Sequence, residues 1–198
     1  RSAVTSAGGG GKQGVNAERR PRTLTGPVPR GQGEHLMVTP VSPRRRGPRF
    51  PDVGGVFRVT LFTERRIGHL KPFPVARLVV DALRASDAEQ LSETLAFAVL
   101  PDQVQWLFVL GDFTTLSATV KKVKARSEAG IVPRIMLPGP LWQPAFAEER
   151  LVDRTAAEPV AEAIALAPVH GGQAETPGAW PHWDTTIDSV FARVAALG

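Results

Sequence analysis

The chain has 198 residues, with 24 Lys and Arg against 19 Asp and Glu, a formal net charge of +5, no cysteine and no tyrosine. The lack of cysteine excludes a disulfide framework and a cysteine zinc site. No apolar run approaches the roughly 18 residues that cross a bilayer, so we expect a soluble, cytoplasmic protein without a membrane partner.

The positive charge is concentrated at the N-terminal end of the sequence. Residues 1–55 carry ten Lys and Arg against three Asp and Glu, a net charge of +7, whereas residues 56–198 carry fourteen against sixteen, a net charge of −2. The first segment is rich in glycine and proline and nearly free of aromatic residues, which predicts a disordered basic arm over residues 1–50. Its densest cluster suits either contacts with nucleic-acid phosphates or a solvated tail without a partner. That cluster contains Arg44, Arg45, Arg46 and Arg49.

The next part of the sequence predicts a strand, a helix and two further strands. V-F-R-V-T-L-F at residues 56–62 alternates as a half-buried strand does, and a basic turn follows at residues 64–66. Apolar residues at helical spacing predict a helix over residues 74–84. The apolar runs 95–100 and 103–110 are joined by a Pro-Asp pair and predict an antiparallel hairpin or one kinked strand.

The last part of the sequence predicts two helices around an irregular segment. Thr114 or Thr115 can cap the first helix, which we expect Gly130 to stop. Residues 131–141 contain three prolines and are predicted to be irregular. Residues 156–166 predict the second helix, ended by a proline and a pair of glycines.

This order of elements predicts an α+β fold, with helices packed on one face of an antiparallel sheet. We assign residues 1–50 to the arm, residues 51–186 to the folded domain, and residues 187–198 to a C-terminal tail that can hold a short helix.

Two identical amides stand one residue apart in the stretch L-P-D-Q-V-Q-W-L. Because a strand alternates its faces, Gln103 and Gln105 point the same way, and Trp106 points the other way, toward the helices. Trp106 and Trp142 could stack on nucleobases, but core packing is the stronger interpretation for both.

The stretch resembles the M-P-D-H-V-H segment of the REP-associated tyrosine transposases, which belong to the HUH superfamily of single-strand DNA endonucleases. Other segments resemble this family's landmarks, in the family's order, over residues 48–183. They are R-F at residues 49–50, V-F-R-V-T at 56–60, T-E-R-R at 63–66, the lysine-bearing helix at 116–124, L-W-Q-x-x-F at 141–146, I-A-L-A-P-V at 164–169 and W-P-H-W at 180–183. The resemblance implies a transposase-like fold of the ferredoxin-like or RRM-like kind, and single-stranded or hairpin DNA as the partner.

The resemblance also locates the family's catalytic groups, and this chain retains none of them. The family's nucleophile is a tyrosine in a Y-I-x-x-N-P-V segment, and Ala163 stands at that position, on a helix expected to pass close to the glutamines. Without a phenolic oxygen, the covalent phosphotyrosine intermediate cannot form. The histidine pair that holds Mg²⁺ or Mn²⁺ in the family corresponds to Gln103 and Gln105. Two neutral amides bind a hard cation weakly, so we expect no metal site and no cofactor.

The remaining polar residues each allow an ordinary interpretation. The basic residues of the turn and of the lysine-bearing helix could bind DNA phosphates, or they could form a solvated surface. These DNA-binding candidates are Arg65, Arg66, Lys121, Lys122, Lys124 and Arg126. The histidines are interpreted as single surface or turn residues, and two aspartates as solvated turn residues. These are His35, His69, His170 and His182, and Asp102 and Asp112.

Three functional interpretations stay open at this point. The first is a catalytically inactive transposase-like domain with residual affinity for single-stranded or hairpin DNA. The second is a decayed, scaffold-only protein without a nucleic-acid role, which the near-neutral charge of residues 56–198 favours. The third, an active DNA transposase, requires both a new nucleophile and a rebuilt metal site.

Overall fold

The structure, a computed structural model, describes residues 52–197. The predicted basic arm, with its four arginines, lies outside the described residues, as does His35. The described part contains five strands and four helices. In chain order they are β1 (Val56–Phe62), α1 (Phe73–Ala88), β2 (Ser92–Leu100), β3 (Gln103–Leu110), α2 (Leu116–Ile135), β4 (Ala147–Leu151), α3 (Ala157–His170), β5 (Trp183–Thr185) and α4 (Asp188–Ala195).

The strands form one antiparallel sheet in the order β4-β1-β3-β2-β5. The first six elements run β-α-β-β-α-β with β1 and β3 in the middle of the sheet, as in a ferredoxin-like fold. The short strand β5 then extends the sheet beyond β2. The predicted α+β class is confirmed, and so is the predicted hairpin of β2 and β3.

One face of the sheet packs against α1 and α2 and holds the larger core. Trp106 and Phe108 of β3 stack on this face with ring centroids 3.8 Å apart, and both are fully buried. The Trp106 indole N–H donates to the Thr94 hydroxyl at 3.0 Å, so the burial leaves this donor satisfied. Trp142 is also buried, and its indole N–H donates to Ser127 Oγ. The prediction of core packing for both tryptophans is confirmed.

The opposite face holds a second core under α3 and α4, so the helices occupy both faces and not one as predicted. Small residues on β2, Ala96 and Ala98, let α3 approach the sheet closely. The continuous apolar run of β2 is the pattern of a strand that is buried on both faces. Helices on one face alone would leave apolar side chains of β2 exposed on the other. From α4, Val190 and Val194 are fully buried in this second core. This helix lies within the range 187–198 that the sequence set apart as a tail.

The boundaries of α2 differ from the predicted ones at its C-terminal end. Thr115 caps the helix by accepting a hydrogen bond from the Ala118 amide, as expected. Gly130 does not stop it, because this glycine lies where α2 crosses α1; a Cβ there would stand 3.4 Å from the methyl groups of Leu78. The helix ends instead at Ile135, and the following Met136 adopts a left-handed φ of 47°.

Two strands and the end of α3 were not predicted from the sequence. β4 has the sequence A-E-E-R-L, and four of its five residues are exposed, so it lacks the alternation of apolar and polar residues that predicts a strand. A short, charged strand at the edge of a sheet is a common protection against aggregation. β5 has only three residues. α3 continues through Pro168 to His170 before two glycines end it. Of the helices within residues 52–197, none is long and apolar enough to span a membrane.

His182, interpreted from the sequence as a surface or turn residue, is buried just before β5. Its side chain is 3% exposed, and its Nδ1 atom has no hydrogen-bond partner among the described residues. The imidazole packs against Phe73 at the start of α1, with centroids 4.8 Å apart, and against Trp180 at 5.9 Å. The Trp180 indole N–H donates to the Val99 carbonyl at 3.0 Å. Burial, and then the charge of Arg77, lowers the pKa of His182.

We expect the free energy of unfolding to fall as the pH drops below about 6.5, the ordinary pKa of histidine. The unfolded chain takes up a proton there that folded His182 resists, so protonation favours unfolding by about 1.4 kcal/mol for each tenfold difference in proton affinity. Urea unfolding across this pH range checks it. His182→Phe should reduce the pH dependence, and the same change at His170, exposed at the end of α3, should not. An unchanged slope for His182→Phe would contradict the assignment.

Candidate nucleic-acid interface

Gln103 and Gln105 lie on the same face of β3, as the strand period predicts. Their cross-strand neighbours on β1 are Phe62 and Thr60, and Arg58 follows two residues further along, opposite Leu107. All of these polar side chains are half-buried, whereas Leu107 is fully buried under α3. This face is therefore apolar at one end and polar at the other. We call the polar end, formed by Arg58, Thr60, Gln103 and Gln105, the polar shelf.

Arg58 supplies the positive charge of the polar shelf. Its Nη2 lies 3.4 Å from Gln105 Oε1, and its Nη1 lies 3.7 Å from Glu149 Oε2 on β4. The Arg58 side chain is 36% exposed and that of Glu149 is 61% exposed. Both contacts are long, and an exposed pair of this kind contributes little, so the guanidinium can exchange them for a stronger partner.

Helix α3 borders the polar shelf on the same face of the sheet. Its buried residues share the second core with Ala98, the β2 neighbour of Gln105, and with Leu107. Ala163 lies on α3 and is exposed, whereas the two residues that follow it, Ile164 and Ala165, are buried. The helix therefore packs on the glutamine-bearing face of the sheet, and the assignment of Ala163 to a tyrosine position stays a prediction.

The polar shelf contains no carboxylate or imidazole cluster. Nowhere in residues 52–197 do three His, Asp or Glu side chains come together as they would around a metal ion. Asp102 lies in the turn between β2 and β3, where its carboxylate is paired with Arg66, and Asp112 is exposed in the turn after β3. Amide and hydroxyl groups with one arginine are a donor set for an anion.

The basic residues that α2 offers as DNA-binding candidates differ in the partners that they bind in the structure. Lys122 and Arg126 both pair with Glu89 at the end of α1, each at 2.6 Å. Hydrogen bonds from Lys122 and then from Arg126 lower the pKa of Glu89. Lys121 is exposed and makes no ion pair within the described part of the chain. The DNA-binding interpretation of this helix stays a prediction, and two of its four candidate residues already bind a carboxylate.

Lys124 holds the loop that contains the L-W-Q-x-x-F residues. Its ammonium donates to the carbonyl oxygens of Gln143, Pro144 and Ala145 at 2.8, 3.3 and 3.0 Å, and it lies 5.5 Å from the centroid of the Phe146 ring. Burial lowers the pKa of Lys124. The ammonium group of Lys124 therefore stabilises this loop instead of extending into solvent.

The turn after β1 has an unusual backbone. Arg65 and Arg66 adopt consecutive positive φ angles of 54° and 57°. The left-handed conformation costs roughly 1–2 kcal/mol for each L-residue, so the pair costs about 2–4 kcal/mol. The buried Thr63 hydroxyl lies 2.7 and 3.0 Å from the carbonyl oxygens of Ile67 and Asp102, and these contacts fix the two ends of the turn.

This turn folds the Arg66 side chain back toward β1. Its guanidinium lies over the Phe62 ring, 4.4 Å from the centroid, and its Nε donates to Asp102 Oδ2 at 2.6 Å. An exposed ion pair contributes about 0–1 kcal/mol and an exposed cation–π contact about 0.5–1 kcal/mol. These two contacts alone fall short of the backbone cost. Arg65 is exposed and makes no ion pair or side-chain hydrogen bond within residues 52–197.

Sequence reasoning missed two residues of this region, Arg58 and Phe62. The signal for Arg58 was present, because it shares the strand parity of Thr60 and breaks an otherwise apolar strand. Phe62 carried no such signal. Its position beside Gln103 follows from the register of β1 against β3, which one strand alone does not reveal.

Comparisons with known proteins agree with this architecture. No protein-family model and no curated protein matches the chain. Among solved structures, a REP-associated tyrosine transposase bound to a REP hairpin has a TM-score of 0.57 and 21% identity, over 76% of this chain and 86% of its own. A candidate transposase from Deinococcus radiodurans R1 has a TM-score of 0.44 and 24% identity, over 53% of this chain and 85% of its own. The first likeness establishes the fold alone, and the second is too distant to carry an argument.

Lys124→Ala should lower the free energy of unfolding by about 1–2 kcal/mol, because it leaves three carbonyl oxygens without their charged donor at a partly exposed site. Urea unfolding measures this change. Lys121→Ala removes the same side chain from an exposed position three residues away and should change stability by less than about 0.5 kcal/mol. Equal effects of the two substitutions would show that the loop contacts are not stabilising.

Proposed function

We propose that this protein binds single-stranded or hairpin DNA without cleaving it. The observation that carries the proposal is the polar shelf, where Arg58 stands among amide and hydroxyl donors on the part of the sheet that α3 leaves uncovered. The likeness to a transposase that was solved bound to a REP hairpin supports the same class of ligand.

The chemistry of the shelf favours binding over cleavage. The chain has no tyrosine, and Ala163 cannot attack a phosphodiester. Gln103 and Gln105 each offer an amide N–H₂ group that can donate to a phosphate oxygen, while Arg58 offers a planar fork of donors that matches phosphate geometry. The guanidinium supplies a fixed positive charge, so phosphate binding at this site needs no divalent cation.

The basic arm is proposed to add affinity that is not specific for sequence. Arg44, Arg45, Arg46 and Arg49 would contact backbone phosphates and release counterions. Residues 56–198 have a net charge of −2, so long-range attraction to DNA has to come from the arm.

The alternative is a scaffold-only protein without a nucleic-acid role. One observation favours it: Lys122, Lys124 and Arg126, which the sequence offered as DNA contacts, all bind groups of the protein itself. Cations that stabilise the fold are not available to a ligand at the same time. Direct binding measurements separate the two functions.

Incubation with hairpin DNA and Mg²⁺ or Mn²⁺ should give neither a cleaved strand nor a covalent protein–DNA adduct, because the chain has no tyrosine nucleophile. The same DNA should bind equally well with and without EDTA, since the guanidinium of Arg58 takes the role of the cation. Denaturing gels and an anisotropy titration measure the two outcomes. A covalent adduct, or binding that EDTA abolishes, would contradict the proposed function.

Arg58→Gln should weaken hairpin binding about tenfold, since removing one charge-assisted hydrogen bond to a phosphate costs on the order of 1–2 kcal/mol. Arg134→Gln makes the same charge change at an exposed position at the end of α2 and should have little effect. Changing the four arm arginines to glutamine should flatten the slope of log K against log salt by roughly 0.7 for each phosphate that the arm no longer neutralises. If the intact protein does not bind at low salt, the scaffold-only alternative is correct.

A further inference from the structure

The strained turn places an arginine where a nucleobase could reach it. The guanidinium of Arg66 has one face on the Phe62 ring and its Nε on the Asp102 carboxylate, at 4.4 and 2.6 Å. The Arg66 side chain is nevertheless 49% exposed. The face of the guanidinium turned away from Phe62 is therefore open to solvent.

The two contacts of Arg66 restrict the position of its guanidinium. An arginine on the surface normally samples many rotamers, whereas here the guanidinium lies over the Phe62 ring and its Nε donates to the Asp102 carboxylate. The consecutive left-handed residues that produce this placement are not glycines, and backbone strain of this kind is retained chiefly where the placement is needed.

The position of Phe62 connects this group to the polar shelf. Phe62 is the cross-strand neighbour of Gln103 and lies on the same face of the sheet. Thr60 and Gln105 form the next pair along the two strands, and Arg58 follows. A strand of DNA whose phosphate rests on the shelf would bring an adjacent base to the open face of Arg66.

We propose that Phe62 and Arg66 form a stacking platform for one unpaired nucleobase. The inference rests on the proposed function and adds the class of group that is recognised. Guanidinium planes and aromatic rings stack on the π-face of any base, so the platform would be tolerant of sequence and would select unpaired over paired nucleotides. Arg65, exposed beside it, is free to contact the backbone phosphate of the stacked nucleotide.

A comparison of Arg66→Lys with Arg134→Lys, at an exposed position at the end of α2, tests the platform. Both changes keep the positive charge, but only the first removes a planar group that lies over a ring. Loss of one stacked base should weaken binding of single-stranded DNA by about five- to 150-fold for Arg66→Lys. The expected change for Arg134→Lys is at most about twofold, because it keeps the charge on a helix that packs against the opposite face of the sheet.

The DNA supplies a second, independent measurement. An oligonucleotide with 2-aminopurine at the stacked position should lose fluorescence on binding to the intact protein, and this quenching should be absent with Arg66→Lys. An oligonucleotide that lacks one base at that position should bind the intact protein and Arg66→Lys equally. Phe62→Leu removes the support below the guanidinium and should reduce the quenching even if Arg66→Lys proves poorly folded by circular dichroism.

The outcomes separate this inference from the function on which it rests. If the intact protein binds DNA but Arg66→Lys binds equally tightly and quenches equally, then Arg66 acts as a point charge, and the platform is overturned while DNA binding stands. If the intact protein binds neither single-stranded nor hairpin DNA, both are overturned.

Discussion

The two-residue period of β3 is the constraint on which the rest of this structure depends. Trp106 and Phe108 must face α1 and α2, because burying two large aromatic side chains supplies much of the larger core. The alternate residues are then forced to the other face, where Leu107 lies under α3 while Gln103 and Gln105 remain at the uncovered end. A shift of one residue would move both amides into the larger core and remove both rings from it, so the core itself fixes the polar shelf in place.

The contacts that the basic side chains of the folded part make within the protein determine which of them could bind a ligand. Lys124 satisfies three carbonyl oxygens of a loop that has no regular structure to satisfy them, so its charge is tied to folding. Glu89 similarly binds Lys122 and Arg126 between α1 and α2. Arg58 differs, since both of its contacts are long and one is with an exposed carboxylate. Whether a basic side chain is available to a ligand therefore depends on the partners that it already has in the protein, and not on the number of basic residues in its segment.

The sequence predicted the features that depend on local pattern and missed those that depend on neighbours. The alternation in β3, the burial of Trp106 and the Thr115 cap follow from a few adjacent residues, and the structure has all three. Gly130 looked like a helix stop because a crossing with Leu78 is invisible in one helix. The burial of His182 depends on Phe73, which is more than 100 residues away, and the charged edge strand β4 acquires its pairing only from β1. Arg58 could have been found, because its parity on β1 is a local signal.

The distribution of charge limits what the folded part could contribute to the proposed binding of DNA. At physiological salt, fields decay over about 8 Å, so a folded part with a net charge of −2 attracts no distant polyanion. It can discriminate only at contact, through groups whose geometry is already set before the ligand arrives. Arg66 has that property, because Phe62, Asp102 and the left-handed turn restrict the position of its guanidinium in the absence of DNA. Ordering that side chain takes place during folding, so a base that stacks on it gains contact area without the loss of side-chain entropy that a free surface arginine would incur.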